Sequence, residues 1–243
     1  MQRRDFIALS SISALGLISM SSFNIQLQPS VEILTGKTNT HIVPGGIIHK
    51  EALRAFSDMQ KHALKDGVNI NIVSGFRSFE RQLGIWNRKY KRFTAQRLSA
   101  DDAIEKIILY STIPGTSRHH WGTDIDVIDL SVKQPSGELL NEVNYHGDGP
   151  FCKLKEWMEK HSESYGFYLT YTANNYRTGF NYEPWHYSYR PIAVDYLKQY
   201  LKLDIESFLT DVDILGKAEL NAEMLRSYRN SHVLGINPKL LPD

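Results

Sequence analysis

The sequence predicts an α+β fold: a small antiparallel sheet flanked by helices, with extra helices at the C-terminus. Three observations carry this. Apolar residues recur at helical spacing in 50–65 and 100–110, whereas 68–73 and 123–130 alternate with period two. The two patterns mix without regular β-α-β alternation, which argues against a parallel, doubly wound sheet. Finally, 243 residues with 42% hydrophobic and 23% charged side chains suffice for a sizeable core without disulfides.

A formal net charge of +1 provides neither a nucleic-acid footprint nor an acidic tail, so no nucleic-acid partner is expected. The single cysteine, Cys152, rules out an internal disulfide and reads as a small core residue rather than a nucleophile. Residues 1–23 read as an export signal, with a basic start through Arg3-Arg4 and a short apolar run from Phe6 to Met20. Arg3-Arg4 before Phe6-Ile7 suits a twin-arginine signal and an ordinary secretory signal equally. The run is short for a membrane span, and no Cys follows it to carry a lipid. A periplasmic or cell-envelope protein is therefore expected, starting between about Ser21 and Ser30 and without stable membrane insertion once the signal is removed. Residues 24–203 would form the main domain and 204–243 a helical C-terminal extension.

Residues 24–48 are punctuated by Pro29, Gly36, Pro44, Gly45 and Gly46 and read as irregular. Thr35-Gly36-Lys37-Thr38 lacks the earlier glycine of a phosphate loop, Val31 standing there instead, and is a polar turn. A helix follows over 50–65, with Leu53, Phe56, Met59 and Ala63 inward and Gly67 as its stop. A half-buried strand over 68–73 leads into Ser74-Gly75-Phe76-Arg77-Ser78, and Ser78 caps a helix to about Lys91. Arg77, at this strand-to-helix turn, either grips a carboxylate in a cleft or pairs with Glu80 at the surface; spacing alone favours the pair. A third helix spans 100–110, with Asp101 and Asp102 in its first turn.

The strand over 123–130 places Thr123, Ile125, Val127 and Asp129 on one face and Asp124, Asp126 and Ile128 on the other. Two carboxylates on one face repel unless a cation or a hydrogen-bond donor lies between them. Residues 131–149 read as a surface loop, 153–162 as a helix burying Leu154, Trp157 and Met158, and 166–171 as a strand. After a turn through Asn174-Asn175, a strand over 180–189 is interrupted by Pro184, and Pro191 starts a helix to about Leu201. Phe208, Val212, Leu215, Leu220, Met224 and Leu225 give 204–243 enough apolar surface to pack on the body.

Chemistry concentrates in two stretches, Pro114 to Asp126 and Tyr182-Glu183-Pro184-Trp185-His186. His119, Asp126 and His186 are ligands of the kind zinc takes, and Glu183 is an extra carboxylate able to act as a base. Asp124 competes with Asp126 as the ligand on spacing alone. In a regular strand Glu183 and His186 would face opposite sides, but a bend at Pro184 can bring both to one cavity. His120 points elsewhere in an extended chain and suits a place behind the ligands or in the cleft wall. His41, His49, His62, His146, His161 and His232 read as ordinary surface or core histidines.

Ser117-x-His119-x-x-Gly122-x-x-x-Asp126, followed by Glu183-x-Trp185-His186, resembles the LAS zinc peptidases, a group that takes in lysostaphin-type enzymes, D-alanyl-D-alanine metallopeptidases and the hedgehog signalling domain. With Ser74-Gly75-Phe76-Arg77-Ser78 and Gln82 added, it is most similar to VanY-like D-alanyl-D-alanine carboxypeptidases, from about Lys50 to Arg190. The resemblance implies one Zn²⁺ per chain on His119, Asp126 and His186, in a cleft on the sheet. It implies Glu183 as the base, Arg77 on the developing oxyanion or a substrate carboxylate, and Ser117 and Gln82 as further substrate contacts. The implied substrate is the peptidoglycan stem peptide, losing its terminal D-Ala. Trp121, Tyr182, Trp185 and Tyr187 are expected to wall the cleft, with core packing equally open for the tryptophans. Asp124 departs from the pattern, which often has Ala there. Alternatives are an L,D-carboxypeptidase or cross-link endopeptidase of the same family, and a non-catalytic zinc-containing wall-binding module. Glu183 favours an enzyme, because a purely structural zinc site needs no base.

Overall fold

The structure, a computed structural model, describes residues 28–174 and 177–243. The expected export signal over 1–23, and Asn175 of the expected turn, lie outside the described residues. The elements run α1 (Val31–Leu34), α2 (Ala52–Lys65), β1 (Ile70–Ser74), α3 (Phe79–Ala95), α4 (Ala100–Ile108), β2 (Asp124–Asp129), α5 (Cys152–His161), β3 (Phe167–Leu169), β4 (His186–Tyr189), α6 (Arg190–Tyr200), α7 (Ile205–Thr210) and α8 (Ala222–Tyr228). The strands form one antiparallel sheet in the order β1-β2-β4-β3, so the expected α+β class holds.

Local chemistry explains most boundaries. Phe56, Met59 and Ala63 are the inward face of α2, which Gly67 closes in the left-handed conformation. Leu53 instead remains 40% exposed, because Ala52 takes the inward position at the helix start. Ser78 caps α3 by accepting from the Arg81 amide at 3.2 Å, and the helix continues to Ala95, past the expected end at Lys91. Pro191 sits in the first turn of α6, where its missing N–H costs nothing.

Two apolar clusters form the core, one of them on the sheet. Ile125, Val127 and Tyr187 point to one side, against Phe56 and Met59 of α2 and Trp157 and Met158 of α5. The second cluster gathers Trp86 of α3, Ile104 and Ile107 of α4, and Ala193 and Leu197 of α6. Leu209, Val212, Leu225, Tyr228 and Leu240 belong to this same cluster, so the C-terminal segment shares the core of the body. The Phe208 ring lies edge-on to Phe79 at 5.5 Å, and the Trp86 indole donates to the Leu215 carbonyl at 2.9 Å. Deleting residues 204–243 is therefore expected to lower the melting temperature sharply, since it uncovers this cluster. A truncated chain melting with the full-length protein would show the segment to be dispensable.

Two expectations need correction. Residues 131–149 are more than a surface loop: a 3₁₀ turn over Glu142–Tyr145 buries Tyr145, whose hydroxyl donates to the Val127 carbonyl at 2.7 Å. Cys152 lies half-buried at the start of α5, its thiol 3.0 Å from the Gly147 carbonyl, and not in the core.

A buried histidine pair ties residues 41–49 to α6. His49 Nε2 donates to the Tyr196 hydroxyl at 3.0 Å while its Nδ1 accepts from the Glu51 amide, and His41 Nε2 donates to the His120 carbonyl. Burial pushes His41 down to about 4, opposed by its bond to His120. Burial likewise pushes His49 down to about 4, helped by the charges of His41 and Lys50. Both rings are neutral when folded and take protons more readily when unfolded, so the unfolded state binds more protons below the ordinary histidine range. Their contribution is full above about pH 6.5 and is lost as pH falls towards 4, roughly 3 kcal/mol at the upper limit for each ring. Thermal melts of the wild type against His41→Asn/His49→Gln are expected to show a smaller acid-induced drop in the variant. Parallel curves would remove these rings as the cause.

Candidate active site

The site is built on the polar face of the central pair of strands. Antiparallel pairing sets Asp126 directly opposite His186 and Asp124 opposite Ser188, while Ser74 at the end of β1 faces Asp126 from the other side. The register thus brings Asp126 and His186 together although they are far apart in sequence. His119 arrives from a 3₁₀ turn, Arg118–Trp121, and not from an extended segment. Gly122 ends that turn in the left-handed region, and a Cβ there would lie 2.2 Å from Ile42 Cδ1. Only glycine satisfies both constraints at this point. Gly75 is similarly constrained, because a Cβ would lie 2.1 Å from the Ile47 carbonyl.

Ligating atoms of His119, Asp126 and His186 lie within 4.8 Å of one another, and all three residues are buried. Among the described residues this is the only such group of His, Cys, Asp or Glu. The ring nitrogens are sorted by their outer partners. His119 Nδ1 donates to the Gly75 carbonyl at 2.9 Å, which leaves Nε2 facing Asp126 Oδ2 at 3.4 Å. His186 Nδ1 faces Asp126 Oδ1 at 3.2 Å and Glu183 Oε2 at 3.1 Å, and its Nε2 lies 3.0 Å from Asp124 Oδ1.

Glu183 reaches the cavity through the bend expected at Pro184: the His186 amide donates to the Glu183 carbonyl at 3.1 Å, and β4 begins only at His186. Asp124 lies behind His186, on the far side of the ring from Asp126, so the two acids of this face do not compete for one position. Arg118 and His186 are the donors that keep them compatible. Burial alone would raise Asp124, but Arg118 at 2.8 Å and His186 hold it well below the usual carboxylate range. Burial would likewise raise Asp126, and His119 and His186 bring it down. Burial pushes His119 down to about 3 against the pull of Asp126, keeping it in the neutral form that ligates metals. His186 behaves oppositely: burial would lower it, yet Asp124, Asp126 and Glu183 together raise it well above its ordinary value. So much negative charge around one ring attracts a proton or a metal cation. Asp126 Oδ1 is buried without a hydrogen-bond partner, which leaves an acceptor for such a cation. The donor set of two imidazoles and one carboxylate fits zinc.

The cluster lies in a cavity of about 620 Å³ lined by Arg77, Ser117, Tyr171, Tyr182, Glu183 and Trp185, among others. Arg77 does not pair with Glu80. Its Nη1 donates to Gln82 Oε1 at 3.0 Å and its Nη2 to Ser74 Oγ at 3.3 Å, while Nε has no partner. Burial lowers the Arg77 pKa, with Asp126 opposing. Ser117 Oγ is buried and unpartnered.

Gln82 departs from the expected substrate contact. It is fully buried, its amide donates to the Thr112 carbonyl at 2.7 Å, and it does not line the cavity; it braces Arg77 instead. Trp121 and Tyr187 also belong to the core, each 1% exposed, whereas Tyr182 and Trp185 do line the cavity. His120 is buried and is not among the residues lining the cavity; its Nδ1 donates to the Arg77 carbonyl at 2.6 Å and its Nε2 accepts from the Gly115 amide, so it holds the backbone that carries Arg77. Sequence reading missed Tyr171, whose ring meets His186 at 4.8 Å, and Arg118. No motif position marked Tyr171, and Arg118 stood in an unassigned slot beside His119.

Comparison with known proteins adds a family to this geometry. YodJ of Bacillus subtilis is 30% identical over 143 residues, covering 58% of this chain and 46% of the relative. A D-alanyl-D-alanine carboxypeptidase of Enterococcus faecalis is 28% identical over 133 residues, covering 54% and 44%. The chain thus spans a little under half the length of these curated relatives. Among solved structures, the VanY D,D-pentapeptidase from a VanB-type resistance cassette, in complex with Zn(II), is 25% identical, with a TM-score of 0.46 over 67% of this chain and 84% of that one. The LdcB LD-carboxypeptidase is 28% identical, with a TM-score of 0.47 over 69% and 71%. The family described as VanY, D-alanyl-D-alanine carboxypeptidase, matches residues 46–192. That span is more than half of the chain and contains Arg77, Glu183 and the whole His119, Asp126 and His186 cluster, so the chain belongs to the VanY family.

Proposed function

We propose that the protein is a zinc-dependent D-alanyl-D-alanine carboxypeptidase that removes the terminal D-Ala from peptidoglycan stem peptides. The observation that carries this reading is the convergence of His119, Asp126 and His186 with Glu183 Oε2 only 3.1 Å from His186 Nδ1, inside a cavity large enough for a peptide end. Membership of the VanY family supplies the substrate class.

In this reading His119, Asp126 and His186 hold one Zn²⁺. When bound, zinc supplies Lewis acidity, lowering the pKa of water toward ~7 and polarising a carbonyl. Glu183 Oε2 takes the proton from the attacking water and delivers it to the amine nitrogen of D-Ala as the C–N bond breaks. Arg77, held by Gln82 and Ser74 with Nε uncommitted, binds the developing oxyanion or the terminal carboxylate. Ser117 Oγ, buried beside them, donates to the peptide. Residues 24–203 form the catalytic unit, and 204–243 extend its core. Among the described residues no helix is long and apolar enough to cross a membrane. The protein acts after export, at the cell envelope, where its substrate lies.

Mass spectrometry of defined muropeptides tests the reaction. Pentapeptide stems are expected to lose one D-Ala and tetrapeptide stems to survive. Trimming of tetrapeptides alone, or scission of cross-linked dimers alone, would overturn the D,D assignment in favour of an L,D-carboxypeptidase or an endopeptidase. No turnover of any of them by the zinc-loaded chain would favour a wall-binding module.

A further inference from the structure

Asp124 is fully buried, and both its oxygens are saturated. Oδ1 accepts from Arg118 Nε at 2.8 Å and faces His186 Nε2 at 3.0 Å. Oδ2 accepts from Ser188 Oγ and Thr123 Oγ1, both at 2.9 Å. Arg118 also donates through Nη2 to Ser188 Oγ at 2.7 Å, and its guanidinium lies over the Trp121 ring at 4.7 Å. An ion pair serving stability alone has no need of a third partner on the shared oxygen. Here that partner is the outer nitrogen of the ring whose inner nitrogen faces Asp126 and Glu183. A carboxylate bonded to the outer nitrogen of a ligating imidazole fixes its tautomer and orientation and raises its basicity.

We infer that Asp124, locked in place by Arg118 and Ser188, is a positioning residue that keeps the proton of His186 on Nε2 and so presents Nδ1 to the metal. The inference rests on the zinc reading of the site. Arg118 balances the charge of Asp124, so the carboxylate orients the ring without adding an uncompensated anion beside the zinc. Ser188 fixes the second oxygen from the neighbouring strand, through the Asp124–Ser188 register. The same arrangement excludes Asp124 as a ligand, since it meets the ring from the side opposite Asp126.

The test combines ¹⁵N-histidine NMR of the zinc-loaded full chain with zinc competition against a chromophoric chelator. In the wild type, His186 is expected to show a protonated Nε2 and a ligated Nδ1. Asp124→Ala, which removes the acceptor, is expected to weaken zinc binding by about 10–100-fold. Asp124→Asn keeps an oxygen for the ring and is expected to lose less. Ser188→Ala, which leaves the Asp124–His186 contact intact, is expected to lose least. A wild type that ligates through His186 Nε2 overturns the inference even if neither Asp124 variant folds. A folded Asp124→Ala with wild-type zinc affinity also overturns it. A wild type that binds no zinc at all overturns the proposed function together with this inference, so the two failures are distinguishable.

Discussion

Glu183→Gln is expected to keep its fold and its zinc while turnover of a stem peptide ending in D-Ala-D-Ala falls by ~10²–10⁴-fold, the usual worth of a general acid–base group. The substitution preserves size and a hydrogen-bonding oxygen toward His186 but cannot accept a proton. The Glu183 side chain is 22% exposed and stands on the Pro184 bend, whereas the other three groups are buried together. Little packing depends on its charge, so the loss should appear in kcat, with substrate affinity retained through Arg77. Steady-state kinetics with zinc content measured on the same sample decide the matter. A near wild-type rate refutes the proton-transfer role, and loss of zinc moves Glu183 into the ligand set.

His186→Ala should have a larger and different effect. Among the described residues His186 is the one group that touches Asp124, Asp126 and Glu183 at once, at 3.0, 3.2 and 3.1 Å. Removing it takes away a ligand and also leaves buried carboxylates short of a donor, which typically costs about 1–3 kcal/mol for each group stranded. Activity should therefore disappear together with bound zinc, and the melting temperature should fall. His119→Ala should lose zinc and activity with a smaller stability loss, because its outer partner is a single backbone carbonyl, Gly75. Elemental analysis, melting and activity on both variants separate these outcomes. Full zinc retention in both would refute the ligand assignment.

Local sequence chemistry made much of this legible. Ser78, Gly67 and Pro191 marked helix ends because capping and backbone restriction act over a few residues. The alternation from Thr123 to Leu130 exposed a strand with two acids on one face. Its requirement for an intervening donor was also readable, but the donor was not. Arg118 is six residues before Asp124, and only the turn at Gly122 folds it back.

For Arg77, spacing alone favoured a surface pair with Glu80, and only the resemblance to the zinc peptidases pointed to the cavity that Arg77 lines, because spacing reports neighbours and says nothing about which side of the chain faces a cavity. Gln82 was expected as a substrate contact from the resemblance, and the packing of α3 turns it inward onto Arg77 and the Thr112 carbonyl.

The sequence by itself determined the α+β class, the candidate ligands His119, Asp126 and His186, the nearby acid Glu183, and the bend at Pro184. The class and the bend follow from period and short-range stereochemistry, whereas the choice of Asp126 over Asp124 and the role of Glu183 are what the resemblance to the LAS zinc peptidases implies. Tertiary structure alone decided which nitrogen of each histidine faces inward, that Asp124 stands behind His186, and that residues 204–243 complete the core of the body. Each of those depends on strand register or on contacts between segments far apart in the chain, and no local pattern of residues encodes them.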